Sequence, residues 1–201
     1  MPTRDELLDL FRTSGALLDG HFRLSSGLHS PGYLQCALVL QHPQSAERLG
    51  RAIGERTRAL EPSVVLSPAL GGVVIGHEVA RALGIRALFV ERQDGVLALR
   101  RGFTLTDGDR VLVIEDVLTT GGSTRETIAV ARAAGASVVG AASIVDRSGE
   151  PAVAGVPVRD RIGVPFVALL DMALPTYEPD LCPLCAQGLP VVKPGSRPVI
   201  A

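Results

Sequence analysis

The sequence predicts an α/β fold, a mostly parallel sheet flanked by helices. Three observations lead there. From about residue 45 onward, short aliphatic runs alternate with segments of helical period. Hydrophobic residues make up 46% of the chain and aromatic residues only 3%, so the core is built from Val, Leu, Ile and Ala. Two strand-to-helix junctions carry paired glycines, Gly71-Gly72 and Gly121-Gly122, as expected where backbone approaches a ligand closely. The length of 201 residues suits one domain.

The elements follow in order. Thr3 and Glu6 form a capping box that opens a first helix, with Leu7, Leu8 and Phe11 on its apolar side and Gly15 past its end. In HFRLSSGLHSPGYLQ, residues 21–35, Gly27, Pro31 and Gly32 punctuate two short strand-like pieces. Residues 45–60 are helical by period and stop before Pro62. Strands are expected at 64–68, 86–91, 110–115, 137–145 and 165–170, with helices at 73–83 and 124–134. The tail after Pro175 reads as irregular. A parallel sheet binds ligands at the carboxyl ends of its strands, so the loops after Leu66, Ile114 and Val145 should converge on a site.

Composition narrows the functions available. A net charge of −1 makes no electrostatic case for nucleic acid or an anionic membrane as partner. No apolar run reaches the roughly eighteen residues of a membrane span. The N-terminus, MPTRDELLDLF, carries acids where a secretory signal needs an apolar stretch. Three cysteines suit a reducing compartment better than a disulfide framework. A cytoplasmic protein is expected. Lys193 is the single lysine, so Schiff-base chemistry in the core is disfavoured and phosphate recognition by side chains falls to arginine.

Residues 111–123, VLVIEDVLTTGGS, are the most informative stretch. A buried strand ends in two carboxylates, Glu115 and Asp116. A hydroxyl- and glycine-rich loop follows, Thr119, Thr120, Gly121, Gly122 and Ser123, and then a helix. Backbone N–H groups and the helix N-terminus attract a phosphate, while carboxylates accept hydrogen bonds from sugar hydroxyls. A phosphorylated sugar satisfies both. A GxxxxGK[ST] loop is excluded because Ser123, not lysine, follows Gly122, and no GxGxxG fingerprint is present.

The segment resembles the phosphoribosyl-diphosphate (PRPP) motif of type I phosphoribosyltransferases: four hydrophobic residues, two acids and a Thr/Gly-rich loop. Residues 21–35 are similar to the hood of the orotate phosphoribosyltransferase family, with a Ser-Gly, a Ser-Pro and an aromatic residue, and Asp146-Arg147 ends a later strand. The resemblance implies the type I phosphoribosyltransferase fold over residues 1–201 as a single domain, with hood elements drawn from about 15–40 and from the C-terminal tail. It implies a glycosyltransferase of pyrimidine biosynthesis that moves the 5-phosphoribosyl group from PRPP to orotate, as a homodimer, with Mg²⁺ held by substrate oxygens rather than directly by protein.

Site residues transfer on matching positions. Glu115 and Asp116 would be catalytic and hold the ribose hydroxyls. PRPP would also meet Val117, Leu118 and the loop from Thr119 to Ser123, with Leu70 and Gly71 binding diphosphate through backbone. Orotate would meet Thr119, Arg147, Tyr33 and Leu34, with the Arg147 guanidinium on its carboxylate. Two departures from the family stand out. Ser25 replaces a frequent lysine, and the mobile loop's Lys and His give way to residues 91–95 and 99–103. Arg92, Arg100 and Arg101 are the candidates for the missing positive charge, although a solvated hairpin edge would also explain an Arg-Arg pair. The alternatives to orotate transfer are a salvage enzyme for another base and a non-catalytic regulator that binds PRPP or a nucleotide.

Cys182-Pro-Leu-Cys185 has the spacing of zinc ligands, but no second pair or nearby histidine completes a set of four. A structural turn is therefore expected, with pairing of two such motifs across a dimer as the other route. His21, His29, His42 and His77 lack metal spacing, and only His29 falls in the hood.

Overall fold

The computed structural model describes residues 1–24, 26–149 and 157–194; Ser25 and the end of the tail lie outside the described residues. The capping box forms as expected: Glu6 N–H donates to the Thr3 hydroxyl at 3.3 Å and Thr3 N–H to Glu6 at 2.8 Å. It opens α1, Arg4–Thr13. The next two strands, β1 (Leu17–Arg23) and β2 (His29–Leu34), pair antiparallel as a separate hairpin. The helices α2 (Cys36–Leu40) and α3 (Pro43–Thr57) lead to the main sheet.

That sheet contains β3 (Val64–Pro68), β4 (Arg86–Gln93), β5 (Val96–Leu99), β6 (Arg110–Leu118), β7 (Ser137–Asp146) and β8 (Phe166–Asp171), in the order β5-β4-β3-β6-β7-β8. All neighbours run parallel except β4 and β5. The crossover helices are α4 (Gly71–Leu83) and α5 (Gly122–Ala133), and α6 (Pro183–Ala186) lies in the tail.

Alternation along β6 divides the core. Leu112 and Ile114 join α1, α3 and α4 through Phe11, Leu49, Ile53 and Ile75. Val111 and Val113 face the other layer, with Ile128 and Ala131 of α5. The same alternation carries past the core and separates the two carboxylates that follow.

One element was not expected. The segment 91–95, likened to part of a mobile loop, instead extends β4 and turns back into β5 as a hairpin closed by Asp94 and Gly95 at φ 51° and 85°. Two consecutive positive φ values are what a two-residue hairpin turn demands, and Asp-Gly supplies them at low steric cost. The tail, expected to be irregular and to supply hood elements, forms the short helix α6. It pairs with the hood at Phe22–Val192 and at His29–Tyr177. No described helix is long and apolar enough to cross a membrane.

Candidate active site

β3, β6 and β7 are neighbours, so the loops at their carboxyl ends converge. Arg147 N–H donates to the Leu118 carbonyl at 2.8 Å, tying the loop after β7 to the end of β6. On the other side, a Cβ built on Gly71 would stand 2.7 Å from Asp116 Oδ1, and one on Gly72 would stand 2.7 Å from the Ile114 carbonyl. Close approach of backbone therefore requires a glycine at 72, whereas a side chain at 71 would displace the Asp116 carboxylate. Leu70, just before them, is exposed.

Strand alternation sends the acids to different places. Asp116 faces Gly71 at the start of α4 and bonds Val117 N–H at 2.8 Å. Glu115 lies on the α5 side, where it lines a small hollow of about 40 Å³ with residues 117–124. It is buried, and that burial, with the Asp116 charge beside it, pushes its pKa up to about 9. Glu115 is therefore a neutral acid at physiological pH and can donate as well as accept a hydrogen bond.

The hollow is the loop between β6 and α5. Gly121 has φ 70°, the left-handed conformation that favours glycine, and its N-cap position starts α5. Arg125 closes the loop by donating to the Thr120 carbonyl at 2.9 Å. Leu118 lines the hollow although its side chain is buried in the core, and the exposed part of the loop begins at Thr119.

Thr119 and Thr120 also line a second, larger cleft of about 960 Å³ beneath the hood. Arg147 and Tyr33 line it. Leu34 does not: neighbouring strand residues face opposite ways, and Leu34 packs in the core beside Ala16 and Leu17. The tail and β1 add Lys193 and Arg23, which sequence reasoning did not select. Every charged side chain lining this cleft among the described residues is cationic. The Arg147 Nε is buried with no hydrogen-bond partner among those residues, and burial lowers its pKa against weaker raising by Cys36 and Tyr33. A half-buried guanidinium whose buried Nε lacks a partner among the described residues suits an anion in the cleft. Next to it, Asp146 is held by Arg159 and accepts from Ser148 N–H at 2.7 Å, so it does not neutralise Arg147.

The other predicted cations are not in this cleft. Arg100 and Arg101 pair with Glu91 at 3.7 and 2.9 Å. Arg92 donates to the Gly95 carbonyl at 2.6 Å and pairs with Glu126 at 3.1 Å. All three belong to the β4–β5 hairpin and the residues just after it. Cys36 lies below the site, buried, with its thiol pushed well up by burial, and is unsuited to act as a nucleophile.

The phosphoribosyl transferase domain family matches residues 37–154. The orotate phosphoribosyltransferase of Pelotomaculum thermopropionicum is 51% identical over 98% of this chain and 100% of its own length. That of Desulforamulus reducens is 50% identical over 98% of both chains. A crystal structure of orotate phosphoribosyltransferase from Mycobacterium tuberculosis in complex with PRPP superposes with a TM-score of 0.64 at 28% identity, covering 85% of this chain and 96% of the other.

Proposed function

The chain belongs to the orotate phosphoribosyltransferase family, and from that premise we infer that it transfers the 5-phosphoribosyl group of PRPP to orotate, releasing diphosphate and forming orotidine 5′-monophosphate in pyrimidine biosynthesis. The observation that carries the reading is the pairing of two adjoining sites. One is an acid-flanked loop suited to phosphate; the other is a cationic cleft whose buried Arg147 Nε lacks a partner among the described residues. Thr119 and Thr120 belong to both.

Each residue's task follows from chemistry. Transfer breaks the bond between the anomeric carbon and diphosphate and passes through a sugar with oxocarbenium character. N–H groups and hydroxyls from Thr119 to Ser123 hold the 5-phosphate at the α5 N-terminus. Asp116 accepts from a ribose hydroxyl and sets negative charge near the developing cation. Glu115, neutral before substrate arrives, donates to or accepts from the ribose without a second buried charge. Arg147 binds the orotate carboxylate as a planar fork, with Tyr33 over the ring. Backbone at Leu70 and Gly71 meets the diphosphate. Rate comes from positioning and electrostatics rather than from a covalent nucleophile.

The donor set fits Mg²⁺ brought in with the substrate. A protonated Glu115 leaves the carboxylate pair short of the charge of an all-protein cage, and Mg²⁺ favours one or two carboxylates plus phosphate oxygens. Asp116 and Glu115 would hold the ribose hydroxyls that share the ion with the phosphates, and Mg²⁺ when bound would supply positive charge to the diphosphate.

We also propose a homodimer acting in the cytoplasm. Cys36, Cys182 and Cys185 form no disulfide among the described residues, in keeping with a reducing compartment. Arg92, Arg100 and Arg101, gathered on the edge hairpin away from their own cleft, are available to a neighbouring protomer's diphosphate. Incubating the protein with PRPP, Mg²⁺ and each of orotate, uracil, adenine, guanine and xanthine tests the assignment. Orotate alone should be consumed. Turnover of another base would make the protein a salvage enzyme, and PRPP binding without turnover would make it a regulator.

A further inference from the structure

The turn expected at Cys182 and Cys185 has company that the sequence did not reveal. The hood hairpin and the tail bring His21 and His29 onto it, so that one ligand atom from each of the four residues lies within 4.8 Å of all the others. His21 Nε2 and His29 Nδ1 are 2.9 Å apart. Cys182 Sγ is 3.5 Å from His21 Nε2, and Cys185 Sγ is 3.3 Å from His29 Nδ1 and 3.8 Å from His21 Nε2. Tetrahedral zinc with two N and two S ligands sets those atoms roughly 3.3–3.8 Å apart.

We propose that His21, His29, Cys182 and Cys185 of a single chain bind a structural Zn²⁺ ion. The tautomer supports it. His21 Nδ1 lies 2.8 Å from the Leu189 carbonyl, which can only accept, so Nδ1 carries the proton and Nε2 presents its lone pair to the cluster. Burial supports it as well. His21, His29 and Cys182 are buried, and two thiolates with Zn²⁺ form an electrically neutral centre suited to that setting. Four protein ligands leave no open position, which marks the site as structural rather than catalytic. Thiolate donors favour zinc over the Mg²⁺ of the transfer reaction.

The location gives the ion a task. Beyond Cys185 the tail bonds to β1 through Val192 N–H to the His21 carbonyl at 2.8 Å and Arg23 N–H to the Val192 carbonyl at 2.8 Å. It then delivers Lys193 to the cleft beside Arg23. Four ligands drawn from β1, β2 and the tail fasten this strap to the hood. Binding displaces two thiol protons and cross-links residues about 160 apart in sequence.

Untagged protein, expressed with zinc in the medium and purified without chelator, tests the proposal through its metal content by mass spectrometry. One zinc per chain is expected, falling to below a tenth in Cys182→Ser/Cys185→Ser. Cobalt substitution keeps the test independent of whether that variant folds: wild-type protein should show tetrahedral Co²⁺ bands together with thiolate-to-cobalt charge transfer. Metal-free wild-type protein that takes up no zinc from a stoichiometric supply would overturn the proposal. So would a Co²⁺ adduct lacking thiolate charge transfer, or a folded double variant that retains its zinc.

Discussion

Gly71 and Asp116 are packed so closely that a single added carbon between them would lie 2.7 Å from the carboxylate. The loop after β3 is thereby set against the acid at the end of β6, and the two halves of the proposed PRPP site meet at this contact. Gly71→Ala should leave the fold intact, because the Asp116 side chain is free to swing away. The displaced carboxylate should lower kcat by about 100-fold, the scale of an ångström's misplacement. Thermal unfolding beside steady-state kinetics checks this; an active Gly71→Ala would show that Asp116 need not stand where it does.

Glu115 makes stability depend on pH. The folded chain keeps its proton up to about 9, whereas the unfolded chain releases it near the ordinary value of 4.5. Between those values the folded state binds more protons, so stability falls as pH rises, by up to about 1.4 kcal/mol per unit. The loss is complete once the pH passes about 9. Glu115→Gln should flatten this slope and raise stability at pH 8 by on the order of 1 kcal/mol or more, while reducing turnover. Urea unfolding of both proteins from pH 5 to 9 without ligand checks it. Parallel slopes would remove the buried neutral acid from the account.

Arg147 should discriminate between the substrates. Losing one charge-assisted, bidentate contact costs about 1.5–3 kcal/mol. Arg147→Ala should therefore raise the orotate KM roughly 10- to 150-fold and the PRPP KM far less. Equal increases would place the guanidinium elsewhere than on the base's carboxylate.

Gly121 tests the phosphate loop from the side of folding. A Cβ there would meet Ile162 Cδ1 at 2.9 Å and Val158 Cγ1 at 3.2 Å, on a backbone at φ 70°. Gly121→Ala should cost about 2 kcal/mol through crowding and the left-handed conformation together. A shift in urea midpoint with unchanged slope is the signature.

What could be read in the sequence was what lies close together along it. The strand, acids, loop and helix of residues 110–133 are contiguous, so their chemistry and geometry are encoded in one run. The split between Glu115 and Asp116 followed from strand alternation and was available in principle. The β4–β5 hairpin was also signalled, by Asp94-Gly95 between aliphatic residues, but comparison with a mobile loop obscured it. Lys193 and Arg23 in the cleft were not legible, and of the cluster of His21, His29, Cys182 and Cys185 only the spacing of its two cysteines was. Their partners meet only when the tail folds back on the hood, and neither period nor motif spacing reports such a contact. Leu34 went astray for a local reason, since adjacent residues of a strand cannot both face the same cleft.

The central claim is that this chain forms orotidine 5′-monophosphate at the carboxylate-flanked loop. The most direct measurement follows orotate absorbance with PRPP and Mg²⁺ for wild-type protein and for Asp116→Asn, with circular dichroism confirming that both are folded. The account predicts orotate loss that requires both PRPP and Mg²⁺ in the wild type and is cut severely in Asp116→Asn. No loss in the wild type, or equal rates in the two proteins, would contradict it.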